Sequence, residues 1–183
     1  MFSILIPTFN NIEYLKLCIS SIKKNSKFEH EIIVHINDGA DGTEEFLINK
    51  NIKYTVTRYN AGICAGVNMA AKQVTTKYIL YAHDDFYFCP EWDQVLFDEI
   101  DKISHNKFYL SGIMMNNGPL RFDCGNTIDE FDENKLLKNF KDYNHHDFQG
   151  STWAPHIIHK ELWNKVGGFS EEYFPGTGSD PDL

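Results

Sequence analysis

The stretch "YILYAHDDFYFCPEW", residues 78 to 92, places two carboxylates, Asp84 and Asp85, directly behind an apolar run. Adjacent carboxylates there either cap the next helix, where the macrodipole favours negative charge, or hold a cation. No Lys or Arg occurs in the next dozen residues to neutralise them. A divalent cation would, because Mg²⁺ or Mn²⁺ takes one or two protein carboxylates and completes its shell with water and phosphate oxygens. A substrate carrying a pyrophosphate suits that chemistry. Three more polar motifs follow apolar runs in the same way: "PTFN" at 7–10, "NDGADG" at 37–42 and "YNAG" at 59–62. Plainer readings stand beside these. Asp38 also reads as a turn residue in an Asn-Asp-Gly context. Gly62 and Gly66 also read as glycines of close helix–strand packing, and "GICAG" lacks the G-x-G-x-x-G spacing of a dinucleotide fingerprint.

The elements that must position these motifs repeat along the chain. "FSILIP" precedes "NNIEYLKLCISSIKKN", whose Ile12, Leu15, Ile19 and Ile22 fall at helical spacing behind an Asn cap. "EIIVHI" then leads to "TEEFLINK", "IKYTVTRY" to "NAGICAGVNMAAKQV", and "KYILYA" to "HDDFYFCPEWDQVLFDEIDKI". Such β-loop-α units predict one α/β domain with a mostly parallel central sheet flanked by helices. In a parallel sheet the carboxyl ends of the strands share one edge, so the four motifs should converge there, where open α/β sheets bind ligands. From Asn116 to Gly150 the chain is polar and turn-rich without a period, and the expectation is a mobile, acceptor-facing excursion. After it, "APHIIH" reads as a strand and "KELWNKVGG" as a short helix.

Composition narrows the function classes. A chain of 183 residues supports one core. Its net charge of −9 argues against nucleic-acid or anionic-membrane surfaces, which need clustered Lys and Arg. Cys18, Cys64, Cys89 and Cys124 show no Cys-x-x-Cys spacing, so neither a zinc site nor a disulfide framework is expected, and Cys18 and Cys64 read as small buried hydrophobes. "MFSILIP" is too short for a signal core or a membrane span, and the expected location is the cytoplasm, free or peripheral to a membrane. His156 and His159, three apart on a strand, should face opposite sides and not share a metal. His145 and His146 read as loop residues. Phe86, Tyr87, Phe88 and Trp92 read as packing beneath a site; Trp153, beside the variable middle, reads first as packing and only second as a contact for a sugar face.

Taken together, "SILIPTFNNIEYLKLCISSI", "INDGADGTEEFL", "YNAGICAGVNMAAKQVTTKYILYAHDDFYFCPEW" and "VGGFSEEYFPGTGSDPDL" resemble the nucleotide-sugar-dependent family 2 glycosyltransferases of the GT-A fold. The resemblance implies that Pro7, Thr8 and Asn10 line a nucleotide and that Asp38 hydrogen-bonds its base. It also implies that Asn60, Gly62 and Asn68 shape the adjoining wall, that Asp84 lies near ribose or sugar, and that Asp85 is the ligand of Mn²⁺ or Mg²⁺. His83 stands where the family's metal motif begins with an acid. At the far end "GSDPDL" resembles a Glu-Asp motif with Ser179 in place of Glu; Asp180 is then the implied catalytic base, with Asp182 as fallback. The implied activity is an inverting hexosyl transfer from a nucleoside-diphosphate sugar to a glycan, lipid-linked or protein acceptor. Because the family pattern continues past such a motif, the domain, residues 1–183, is expected to be truncated at its C-terminal end. Two rivals remain. A sugar-nucleotide pyrophosphorylase would need a Gly-rich, Arg- and Lys-bearing loop after the first strand, which "PTFNN" lacks; a non-catalytic nucleotide- or carbohydrate-binding module is kept open by Ser179.

Overall fold

Strand β1 carries apolar side chains on both faces, so it needs cover above and below. In the computed structural model, which describes residues 1–115, 121–143, 154–176 and 178, β1 (Phe2–Phe9) lies inside a six-stranded sheet. Strands β2 (Glu31–Asn37), β3 (Lys53–Thr57) and β4 (Tyr78–Tyr81) run parallel to it. Beyond β4 come β5 (Tyr109–Ser111) at the edge and β6 (His156–His159) between them, antiparallel to both. The order is β3-β2-β1-β4-β6-β5. The sheet is therefore mixed, with one strand reversed.

Helices cover both faces. Leu15, Cys18, Ile19 and Ile22 of α1 (Ile12–Asn25), Leu47 of α2 (Thr43–Asn49), and Leu96 and Ile100 of α4 (Trp92–Lys102) pack on Ile4, Ile6, Val34 and Leu80. On the other face Cys64, Val67 and Ala70 of α3 (Ile63–Ala71) and Trp163 of α6 (Lys160–Val166) meet Leu5, Ile33 and Ile79. Each Leu, Ile or Val among them, taken fully from water, contributes about 1.5–3 kcal/mol. Phe88 and Trp92 join the aromatic packing around Phe2, with Trp92 6.0 Å from Phe2 and 4.6 Å from Phe88. His156 stacks on Tyr109 at 4.6 Å, while His159 meets the edge of Tyr78 at 5.5 Å, on the opposite face of the sheet.

Two local expectations change. Asn11 does not cap α1 with its side chain; the free Ile12 N–H donates instead to Asp41 Oδ2 at 2.9 Å, from the loop after β2. The stretch 116–150 also holds periodic structure where none was expected: α5 (Glu133–Asn139) and a 3₁₀ turn, Phe140–Asp142. Asp132 caps α5 by accepting the Lys135 N–H at 2.9 Å, but Leu136 is its only buried residue, too little for a readable stripe. This segment is fastened to the domain. Tyr87 Oη donates to Glu133 Oε1 at 2.6 Å, and the Ile128 N–H donates to Tyr14 Oη at 3.2 Å. Trp153, His145 and His146 lie outside the described residues.

Candidate functional site

Four parallel strands ending on one edge bring their following loops together, and a cleft of about 360 Å³ lies where they meet. Pro7, Thr8 and Asn10 line it from the end of β1, Asn37 from β2, Asn60 and Gly62 from the loop after β3, and His83 and Asp84 from the loop after β4. Pro175 and Gly176 close the far side. All four polar motifs thus contribute to one concavity.

Hydrogen bonds between loops fix its geometry. Thr8 Oγ1 donates to Asp84 Oδ2 at 2.6 Å across neighbouring strands. Asn10 Nδ2 donates to Asp38 Oδ2 at 2.9 Å and its Oδ1 accepts the Ala40 N–H at 2.9 Å, which ties the β1 and β2 loops together. Both residues hold left-handed backbones, φ 48° at Asn10 and φ 68° at Asp38, a conformation that Asn and Asp tolerate best among residues with a Cβ. Gly62 has φ 86°, and a Cβ there would stand 3.0 Å from the Phe174 ring and 3.2 Å from the Pro175 carbonyl. Only glycine lets the two walls approach so closely.

Electrostatically the cleft is short of positive charge. Burial raises the Asp84 carboxyl above its ordinary range and the charge of Asp85 adds to this, against the Thr8 and Asn11 donors. Neither aspartate forms an ion pair among the described residues. Asp85 is exposed beside the cleft, and Asp84 is the carboxylate in its lining. No three His, Cys, Asp or Glu side chains converge into a closed metal cage among the described residues. A cation that draws most of its ligands from water and substrate phosphate needs no such cage. Two adjacent carboxylates, one half-buried and one exposed, without a cationic partner, fit it.

Not every residue singled out in the sequence lies at the cleft. Asp38 reaches it through Asn10. Asn68 is absent from the lining: its Nδ2 donates to the Phe169 carbonyl at 2.8 Å and to Glu171 Oε1 at 3.1 Å, while its Oδ1 accepts the Phe169 N–H at 3.0 Å. It fastens the chain leaving α6 onto α3. The Ile63 N–H then donates to the Pro175 carbonyl at 2.7 Å and brings that chain to the rim. Asp180 and Asp182 lie outside the described residues. Asn11, Asn37, Ile63, Pro175 and Gly176 also line the cleft, none of them among the site residues expected from the sequence. Asn37, as the last polar residue of a buried strand, carried a usable signal.

The family model "Glycosyl transferase family 2" matches residues 3–162. The chain belongs to that family. Mouse "Beta-1,4 N-acetylgalactosaminyltransferase 2" is 36% identical over 97 residues, which is 52% of this chain and 18% of the relative. Human "Beta-1,4 N-acetylgalactosaminyltransferase 1" is 35% identical over 81 residues, 44% of this chain and 14% of the relative. The chain thus spans less than a fifth of these family relatives. Among solved structures, S. aureus TarS 1-349 in complex with UDP-GlcNAc superposes with a TM-score of 0.68 at 20% identity, covering 98% of this chain and 51% of that one. Mannosyltransferase PcManGT from Pyrobaculum calidifontis, in complex with GDP-Man and Mn2+, gives 0.64 at 15% identity over 98% and 49%. These likenesses give the GT-A fold. Among the described residues no helix is long and apolar enough to cross a membrane.

Proposed function

We propose that this domain transfers a hexose from a nucleoside-diphosphate sugar to an acceptor hydroxyl, with inversion and with a divalent cation, Mn²⁺ or Mg²⁺. The observation that carries the reading is the convergence of four strand-end motifs on a cleft whose Asp84, with Asp85 beside it, forms no ion pair among the described residues. Family membership and relatives named for N-acetylgalactosaminyl transfer support it. So do fold neighbours solved with UDP-GlcNAc and with GDP-Man and Mn2+.

In this reading Pro7, Thr8 and Asn10 hold the nucleotide and the Asn10–Asp38 pair meets its base. Asn60 and Gly62 form the opposing wall, Asp84 faces ribose or sugar, and Asp85, beside it, holds the cation. When bound, the cation offsets charge on the diphosphate leaving group. The bond from the acceptor oxygen to the anomeric carbon forms as the bond to the diphosphate oxygen breaks. Asp180 takes the acceptor's proton as general base, with Asp182 as the alternative. The acceptor is a glycan, a lipid-linked saccharide or a protein, and the cytoplasm, or a membrane surface facing it, is the proposed location. Calorimetry with UDP and GDP tests the donor side. One of them should bind more tightly with Mn²⁺ than without, and Asp85→Asn should abolish that difference while leaving the metal-free affinity in place. Unchanged metal dependence in Asp85→Asn would remove it from the site.

A further inference from the structure

Strand β2 alternates by face. Ile32, Val34 and Ile36 join the core under α1 and α2, and Ile33 joins the core under α3. His35 and Asn37 share the face of Ile33, and both are buried, at 0% and 3% exposure. A polar column thus runs from the core up to the cleft. Its partners are Thr55 and Thr57 of β3, in register with His35 and Asn37. His35 Nδ1 lies 2.7 Å from Thr55 Oγ1 and Nε2 lies 3.3 Å from Thr57 Oγ1. Burial lowers the His35 pKa to about 4, so the ring is neutral, with one donor and one acceptor nitrogen.

The hydroxyl of Thr57 decides which is which. It donates to the Tyr59 carbonyl at 2.9 Å, so it meets His35 with a lone pair and Nε2 carries the proton. Nδ1 then accepts from Thr55. Above Thr57, Asn37 Oδ1 accepts the Ala61 N–H at 2.8 Å, and Asn37 itself lines the cleft. The turn that carries Asn60 and Gly62 is therefore held at Tyr59 by Thr57 and at Ala61 by Asn37. Helix α3 closes over this column only because residue 66 is glycine: a Cβ there would stand 2.6 Å from His35 Cδ2.

We propose that His35 is a positioning residue for the donor cleft, acting through Thr57 and Asn37 to hold the 59–62 turn as one of its walls. The assignment of a donor to that cleft rests on the proposed function; the positioning of the turn does not. A histidine that merely fills the core would affect stability and leave the turn alone.

The test uses the whole chain, with His35→Leu, His35→Gln and Thr57→Val beside the wild type. Three quantities are read: exchange of the Ala61 amide by NMR, affinity for UDP and GDP with Mn²⁺ by calorimetry, and the melting temperature. One lost hydrogen bond corresponds to a factor of roughly three to ten. His35→Leu should speed Ala61 exchange by that factor and weaken the bound nucleotide similarly, with the Leu5 amide in β1 unaffected. His35→Gln, which can keep a donor near the position of Nε2, should recover most of both. Thr57→Val breaks the column from its upper end and should reproduce the effect, which keeps the test decisive if His35→Leu does not fold. A lower melting temperature with Ala61 exchange and nucleotide affinity unchanged would reduce His35 to a core residue. If the wild type binds neither nucleotide, the donor reading fails, and Ala61 exchange still decides whether His35 holds the turn.

Discussion

Asp84 and Asp93 both lie beside the sheet, at opposite edges, and the protein treats them in opposite ways. Asp93, at 0% exposure, sits where the strands begin. It accepts the N–H groups of Lys27 at 2.9 Å, Phe28 at 2.8 Å and Gln94 at 3.0 Å, and it lies 3.0 Å from His30 Nε2. The Phe2 N–H donates to His30 Nδ1 at 3.1 Å, so Nε2 is the protonated nitrogen facing the carboxylate. Burial pushes the Asp93 carboxyl up, but the Lys27 and Phe28 donors and the His30 ring outweigh it, and the net displacement is downward. Asp84, where the strands end, receives the Thr8 hydroxyl and Asn11, and burial wins. One carboxylate is saturated by its own chain. The other keeps unused acceptor capacity facing a cleft, the arrangement expected where a ligand completes the set.

The largest expected effect belongs to the proposed general base. In a protein active in transfer, Asp180→Asn should lower the rate by roughly 10² to 10⁴ while calorimetry finds donor affinity nearly unchanged, since the proposed base acts in the transition state. Asp182→Asn should cost less; the reverse ranking would move the base two residues along. Stability measures the two aspartates against each other. Asp93→Ala strands several buried donors and should cost about 3 kcal/mol in urea denaturation, whereas Asp84→Asn, which removes an under-paired charge, should stay within about 1 kcal/mol of wild type. Equal losses would break the contrast.

Acid titration sharpens it further. His35 binds its proton near pH 6.5 when unfolded but only near about 4 when folded, so stability should fall as the pH drops between those values. His30, also lowered mainly by burial, adds to the same slope. Asp93 keeps its contribution above its unfolded value of about 3.9 and loses it as the pH falls toward its lower folded value. Asp84 runs the other way: its raised folded pKa makes stability fall as the pH rises from about 3.9 through that value, so Asp84→Asn should steepen the acid slope in melting temperature. The smallest effect belongs to an ion pair left in water. Lys24 and Glu133 meet at 2.9 Å with both side chains over a third exposed, and Lys24→Ala should change stability by no more than about 0.5 kcal/mol.

Much of this architecture was legible where the chain writes it locally. Runs such as "SILIP" and "EIIVHI" announce covered strands, and polar residues directly after them announce the edge at which the cleft forms. What stayed hidden depends on partners far along the chain. Asp41, rather than Asn11, meets the first N–H of α1, because the β2 loop is folded back onto that helix. Contacts to Ile63 and Asn68, about a hundred residues earlier, help bring Pro175 and Gly176 to the cleft, and no local pattern in "FPGTG" reveals that docking. The family resemblance implies Asn68 as a wall residue, yet its amide is spent on Phe169 and Glu171. α5 escaped notice because one buried leucine makes no period.

The reversed strand also sets an order of assembly. β1 to β4 lie within residues 2–81 and pair through short crossovers, but β4 receives its outer neighbour only when His156–His159 arrives, with Tyr78 opposite His159. Among the described residues β5 pairs with β6 and with no other strand, so it cannot dock earlier. On a ribosome adding about 5–20 residues per second, the outer edge of β4 stands uncovered for roughly 4 to 15 s after its own synthesis. An apolar strand edge is a template for pairing with other chains during that interval. The step most exposed to aggregation is therefore the delay before β6 inserts, and a chaperone that shields Tyr78–Tyr81 would act there.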